Sequence, residues 1–341
     1  MPTVPKTPTT ALVLETNNLA GGNGDPDGVE HSLARVLGHL RAQTRPLASL
    51  DEVVVVHAGL APAAEDRLRD AAGCPLRFVT IAADDDYYAA KDAGFAATRA
   101  DVVAFADADC WPDAGWLDAL LGPFADGDVQ AVAGRTTYRD GVFGAAATAI
   151  DFMYFASPLG PGCTRNFYAN NVAFRREVLE RGGYGAHDFY RGSCQVLGLA
   201  LQARGIAVRF APGARTIHRL PDSLGDLVRL RLLRGADAVE LAPHLARAYV
   251  PRGARWLARL GPLSGLAVLA VRCACSLIAL RQQGQAAVRG PRWFVGAAVV
   301  ASLHAADAAG AVIRGLRLGL AAPTRRHTAL AYHENVDRLA A

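Results

Sequence analysis

The chain has 341 residues, 51% hydrophobic and 20% charged, enough apolar material for one large or two modest cored domains and too much for a disordered protein. The formal net charge is only +4, but from Arg204 through Arg326 there are 19 Arg against 5 Asp or Glu, so a basic part follows an acidic-leaning one. That asymmetry suits phosphate-bearing ligands or anionic lipid heads; with no binding motif or interleaved aromatic pattern, nucleic acid is not an expected partner. Six cysteines, at 74, 110, 163, 194, 273 and 275, show no paired metal-site spacing and fit a reducing compartment. The opening Met-Pro-Thr-Val-Pro-Lys-Thr-Pro lacks an apolar signal core and predicts a loose tail.

In chain order, Ala11 to Asn18 predicts a short strand running into a polar turn, and Gly21 to Asp27 a Gly/Asp/Pro-rich loop. Leu33, Val36, Leu37 and Leu40 have helical spacing within His31–Gln43. Glu52 to Gly59 predicts a buried strand, Ala63 to Ala72 a helix, Leu76 to Ile81 a strand and Tyr87 to Ala100 an Ala-rich helix. After the next strand come a turn and helix from Trp111, a strand from Val129, and a turn, strand, short helix and double-Gly stop between Asn166 and Tyr184. A helix over Gly192–Arg204 and a strand over Ile206–Phe210 precede a loop reaching Arg219. Strands alternating with helices predict an α/β domain, an open and mostly parallel sheet with helices on both faces.

The organising stretch is Asp101-Val-Val-Ala-Phe-Ala-Asp107-Ala-Asp109, a buried strand ending in two carboxylates one residue apart. Two like charges at that spacing resist joint ionisation unless a cation joins them, and hard oxygen ligands suit Mg²⁺ or Mn²⁺. Such a triplet alone is usually only a polar strand end. Here Glu15–Asn18, His57, Asp84–Asp86 and Asp107–Asp109 all fall at strand carboxyl ends, where open parallel sheets bind ligands.

Several stretches in order resemble the family 2 glycosyltransferases, inverting enzymes of the GT-A fold, in their membrane-associated bacterial type. Tyr88-Ala-Ala-Lys-Asp92-Ala-Gly94 is similar to the family's A-x-N-x-G. Phe105-Ala-Asp107-Ala-Asp109 is similar to its metal-binding D-x-D, with Trp111-Pro…Trp116-Leu as the usual continuation. Asn171-Val-Ala-Phe-Arg175-Arg176 with Gly182-Gly183-Tyr184 is similar to N-x-A-x-R-R…G-G-F, and Pro212-x-Ala214-x-x-x-His218 to the late P-x-A-x-x-x-H. The resemblance runs from Ala11 to about Asp237. It implies a Rossmann-like GT-A domain over 11–220 that moves a sugar from a UDP- or GDP-linked donor to a hydroxyl acceptor, lipid-linked among the options, with Mn²⁺ or Mg²⁺. By the same likeness Asp109 is expected to contact the metal directly, Asp107 the metal or the ribose, and His218 the metal or the diphosphate. Glu15, Thr16, His57, Asp84, Asp107 and Arg175 are expected at the nucleotide sugar, Arg175 and Arg176 also reading as a solvated helix start.

Three departures bear on the chemistry. The family's Glu-Asp, whose carboxylate is the general base, is replaced by Ser193, Cys194 and Gln195. Asp188, a few residues upstream, is the expected substitute, with His187 next. The second strand ends in His57 where the family often has Asp, and the family's Asn is Asp92. A catalytically silent relative that binds a nucleotide sugar or a partner is the competing reading. A nucleotidyltransferase is disfavoured because Gly21-Gly-Asn-Gly24 carries no Lys.

Beyond 220, Arg229, Arg231 and Arg234 sit among Leu227, Val228, Leu230, Leu232 and Leu233 and predict basic amphipathic helices over 221–259 that meet lipid heads. Leu260–Leu280 and Trp293–Ile313 approach bilayer-spanning length but contain Arg272, His304 and Asp307, and a central Arg or Asp costs roughly 2.5–3.5 kcal/mol on insertion. Spanning, lying in the interface and packing on protein all remain open for this C-terminal helical region over 260–316. Its basic flanks predict a hairpin on an anionic membrane at the cytoplasmic face, with a soluble cytoplasmic protein as the alternative. Residues 1–10 and 317–341 are expected to be peripheral tails.

Overall fold

The computed structural model describes residues 7–16, 26–185, 187, 190–250, 252–260, 262–282 and 286–320. Asp188, Asn17–Asn18, the Gly21–Gly24 loop and the tail beyond 320 lie outside the described residues. The chain divides into two compact units: Met1–Thr136, Tyr154–Ala186 and Ala200–Arg219 form the first, and Thr137–Met153, His187–Leu199 and Leu220–Ala341 the second.

The first unit is built on a nine-stranded sheet. In chain order its strands are β1 Thr10–Glu15, β2 Glu52–His57, β3 Arg77–Thr80, β4 Val102–Asp107, β5 Cys110–Pro112, β6 Ala131–Thr137, β7 Cys163–Thr164, β8 Asn171–Arg175 and β9 Val208–His218. Spatially they run β3-β2-β1-β4-β8-β6-β9-β5, with β7 on β9. The expected parallel half is β3-β2-β1-β4. Past β4 the sheet turns antiparallel at β8, so the whole is mixed. The loop expected after Phe210 is instead strand: β9 continues to His218 and pairs with β5.

The alternation of side chains along β1 and β4 explains both packing layers. Leu12, Leu14, Val53, Val55, Ala104 and Ala106 pack in one core with α1 (Pro26–Arg41) and α2 (Pro62–Ala72). Val13 and Val56 point the other way, against Gly94 of α3 (Tyr87–Ala96). A Cβ on Gly94 would lie 2.8 Å from Val56 Cγ2 and closer still to Val13, so this helix reaches the sheet only because it has no side chain there. Asp107 shares the face of Phe105, which places its carboxylate on the α3 side.

Short helices α4 (Trp116–Leu121) and α6 (Arg176–Leu179) complete the first unit. Trp116 Nε1 donates to Asn171 Oδ1 at 2.8 Å, and Asn171 Nδ2 donates to Ala214 O at 2.9 Å. These two motif residues therefore join three elements of the scaffold.

The second unit is helical: α5 (Val142–Asp151), the start of α7 (Ser193–Ala203), α8 (Leu224–Tyr249), α9 (Pro262–Gln282) and α10 (Arg292–Leu320). Its apolar core joins Ala145, Ala149 and Ile150 of α5 to Leu280, Val300 and Leu303. Helices α8 and α10 approach at backbone distance, the absent Cβ of Gly235 falling on the Asp307 carbonyl and that of Gly310 on the Leu232 carbonyl. The expectation that Arg231 and Arg234 face lipid is corrected here. Arg231 is buried, its Nε and Nη2 donating to Asp307 at 2.7 and 3.0 Å and its Nη1 to Asp151 at 2.7 Å. Arg234 also pairs with Asp151, and Tyr138 donates to the second oxygen of Asp151 at 2.8 Å. Two acids on the packed helices demand cations inside, which the hydropathy of α8 alone does not reveal.

Candidate active site

The carboxyl ends of β1, β2 and β4 lie in register, Glu15 opposite both Val56 and Asp107. From β4 the chain turns at once into β5, and Cys110 pairs with His218 at the end of β9. The backbone of this corner is fixed on both sides: Ala108 N donates to Glu15 O at 2.9 Å, and Arg219 N to Asp109 O at 2.9 Å. Asp109 and His218 are thereby brought together, with His218 Nε2 3.6 Å from Asp109 Oδ2. One ligand atom from each of Asp107, Asp109, Cys110 and His218 lies within 4.8 Å of the others.

The hydrogen bond on the far side of the imidazole decides its tautomer. His218 Nδ1 lies 2.6 Å from Arg219 O, and a carbonyl only accepts, so Nδ1 carries the proton. In the neutral ring Nε2 then presents a lone pair toward a carboxylate, an arrangement that calls for a cation between them. Cys110 Sγ donates to Asp109 Oδ1 at 3.7 Å. Burial first, then the Asp109 and Asp107 charges, push the Cys110 thiol well up, so it stays protonated.

Asp107 has partners of its own. Lys91 Nζ donates to Oδ1 at 2.6 Å and Tyr87 OH to Oδ2 at 2.8 Å, all three side chains being buried. The ammonium also stands 4.7 Å from the Tyr87 ring centroid and 5.8 Å from that of Phe105. Sequence reasoning missed Lys91 and Tyr87. The available signal was their i, i+4 spacing on the helix entering the acidic strand.

The remaining expected ligands divide by geometry. Glu15 is fully buried at the end of β1. Thr16 spends its hydroxyl on Val56 O at 2.9 Å. His57 is turned inward, its Nδ1 accepting from Gly59 N at 3.3 Å and Leu60 N at 3.0 Å, so it caps the turn after β2. Burial lowers its pKa, and Glu65, 3.5 Å from Nε2, offsets part of that. Asp84 is exposed in the turn before α3, where Asp86 accepts from Tyr88 N and Ala89 N as the N-cap. Arg175 is occupied by three backbone carbonyls, those of Phe124, Asp126 and Val129. Arg176 bonds Ala100 O and the Thr98 hydroxyl and stacks 4.7 Å from the Phe95 ring. Both arginines thus tie loops together within the scaffold.

Asp92 accepts from Tyr184 N at 3.2 Å, and positive-φ Gly183 brings that chain so close that a Cβ would lie 2.6 Å from Asp92 Oδ1. Burial, with Asp86 adding to it, pushes the Asp92 pKa up to about 6. A carboxyl raised in the folded state stabilises fully below its unfolded value near 3.8 and loses that contribution as pH rises through about 6. Asp92→Asn is therefore expected to stabilise by ~1–2 kcal/mol at pH 8, allowing for partial exposure, and to change nothing at pH 4. Thermal melts at the two pH values check this; equal effects at both would refute it.

In the second unit His187 lies with its ring centroid 6.0 Å from that of His244. Ser193 and Cys194 are buried at the start of α7. A carboxylate the sequence reading passed over, Asp237 of α8, accepts from Tyr190 N at 2.7 Å and Arg191 N at 2.8 Å and so clamps the chain just before α7. Burial pushes its pKa up to about 6 against those two bonds.

Residues 28–183 match the model of glycosyl transferase family 2. The pre-mycofactocin glycosyltransferases of two Mycobacterium tuberculosis strains are 29% identical over 162 residues, covering 45% of this chain and 34% of theirs. The chain thus spans about a third of the length of those curated relatives. A mannosyltransferase from Pyrobaculum calidifontis, solved with GDP-Man and Mn²⁺, has a TM-score of 0.57 at 18% identity, over 92% of this chain and 88% of that one. Residues 28–183 are thus similar to glycosyl transferase family 2, and the chain has the GT-A fold.

Proposed function

We propose that this protein is a metal-dependent, inverting glycosyltransferase that moves a sugar from a nucleoside-diphosphate sugar to a hydroxyl acceptor. The observation that carries the reading is the Asp109 carboxylate facing Nε2 of His218, whose ring is oriented by the Nδ1 contact to Arg219 O. The carboxylate suits Mn²⁺ or Mg²⁺, and the imidazole nitrogen beside it favours the transition ion Mn²⁺. Asp109 and His218 would hold the ion. When bound, it supplies charge stabilisation to a departing diphosphate.

The chain's own residues do the rest. Asp107 is fixed by Lys91 and Tyr87, and a carboxylate has lone pairs beyond those two bonds with which to receive a ribose hydroxyl. Asp188 is assigned as the base that takes the acceptor's proton, with His187 next, because α7 begins with Ser193-Cys194-Gln195 and offers no carboxylate. Glu15 and Asp84 remain proposed donor contacts. The complex of the Pyrobaculum calidifontis mannosyltransferase with GDP-Man and Mn²⁺ supports a nucleoside-diphosphate-sugar donor. Helices α9 and α10 are long and apolar enough to cross a membrane, which supports membrane association; the cytoplasmic face and a lipid-linked acceptor are proposed with it.

The test is transfer by purified protein from a panel of UDP- and GDP-sugars, with chelator and then with Mn²⁺ restored. Turnover is expected to vanish with chelator and return with the ion. Undiminished turnover without metal overturns metal dependence. Tight nucleotide-sugar binding with no transfer or hydrolysis favours the silent relative.

A further inference from the structure

We infer that α9 and α10 do not cross the bilayer as a hairpin but lie with α8 as one module in the interface of an anionic membrane. This deepens the membrane association proposed above and is independent of sugar transfer.

The helices have two unlike sides. Leu263, Val271, Ile278, Phe294, Val295 and Leu316 are exposed, Phe294 by 71% and Val271 by 64%. The inner side of α10 carries ions: Asp307 is gripped by Arg231, His304 Nδ1 stands 3.0 Å from Asp307, and Arg314 donates to Glu240 at 2.8 Å. Ser276 of α9 extends this chain, its hydroxyl 3.0 Å from His304 Nε2. Both ionic partners of α10, the Arg231 that holds Asp307 and the Glu240 that receives Arg314, belong to α8. That helix has seven charged side chains, Asp226, Arg229, Arg231, Arg234, Asp237, Glu240 and Arg247. A helix so charged does not enter hydrocarbon, and α10 is pinned to it at mid-length, at Gly235 and Gly310. One apolar face over one ionic face is the pattern of a helix lying in a membrane surface, not of one crossing it.

Charge fixes the occupant. From Arg252 through Arg317 there are nine Arg and a single acid, Asp307, which is buried and paired. Arg281, Arg289 and Arg292 are exposed where α9 gives way to α10. In a spanning hairpin that turn would have to pass to the far side of the bilayer, against the retention of Arg-rich short loops on the cytoplasmic side. Lying flat, Arg281, Arg289 and Arg292 meet the anionic lipid surface without crossing the bilayer.

Two measurements on the full-length protein test this. In flotation assays, capture is expected by vesicles of phosphatidylcholine with phosphatidylglycerol and not by phosphatidylcholine alone. Replacing Arg281, Arg289 and Arg292 together by Gln, with the circular dichroism spectrum unchanged, is expected to weaken capture about a hundredfold, at about 1 kcal/mol for each arginine at the surface. Equal capture by both vesicles, none by either, or no effect of the triple change refutes the docking face and, for no capture, the membrane association itself. In the second measurement an epitope is inserted after Gly290 and another placed at the N-terminus, and antibodies are applied to spheroplasts and to inverted vesicles of an expressing bacterium. Both epitopes are expected on the cytoplasmic side. Epitopes on opposite sides overturn the interfacial placement while leaving membrane association standing.

Discussion

Asp109→Ala is expected to lower kcat/KM about a thousandfold, the equivalent of ~4 kcal/mol of the charge stabilisation a bound divalent ion supplies. The loss should appear in kcat as well as in the Mn²⁺ concentration needed for half-activation, because in the proposed site the carboxylate would hold the ion beside His218. Folding should survive, since Asp109 sits at a turn whose backbone bonds, to Glu15 and Arg219, do not involve the side chain. His218→Ala is expected to show the same two changes to a lesser degree. Lys91→Met separates the roles: it strands Asp107 without touching the Asp109–His218 pair, so its loss should not be restored by added Mn²⁺. An Asp109→Ala protein with ordinary turnover would end the assignment.

The second large effect is on stability. Arg231→Met removes the cation bridging α5, α8 and α10 and leaves Asp307 buried beside His304 and Asp151 with Arg234 and Tyr138. Breaking one side of a buried ion pair costs about 3–5 kcal/mol, a fall in Tm on the order of 10 °C. Replacing both partners, Arg231→Met with Asp307→Leu, should recover much of that loss, because the stranded charge is gone. Thermal melts of the single and double variants in detergent decide it. A single variant within about 2 °C of the parent would show the network to be dispensable.

The parallel half of the sheet was legible because β1, β2 and β4 are short Val- and Leu-rich runs between turn residues, a pattern with few alternatives. The antiparallel half was less so. The second half of β9 contains Pro212 and Gly213 and reads as a loop, yet it is strand because β5 supplies a partner from far along the chain. Within the site, Asp109 and His218 were readable as ligand types, and the fold places them together. Arg175 and His57 show the limit of such reading: nothing in the residue type separates an arginine for phosphate from one for three carbonyls. Lys91 was hidden for the opposite reason, since a lysine in an Ala-rich helix reads as solvated until the strand beside it ends in a carboxylate.

The second unit is gathered from three separate stretches of chain, and α5 finds its apolar partners among α9 and α10. Shortening the gene after His218 to obtain a tractable enzyme would therefore leave α5 with a sticky stripe and the approach to α7 without Asp237. Poor expression of such a fragment would report on orphaned helices rather than on the sugar chemistry. The practical route to crystals or assays is the whole polypeptide.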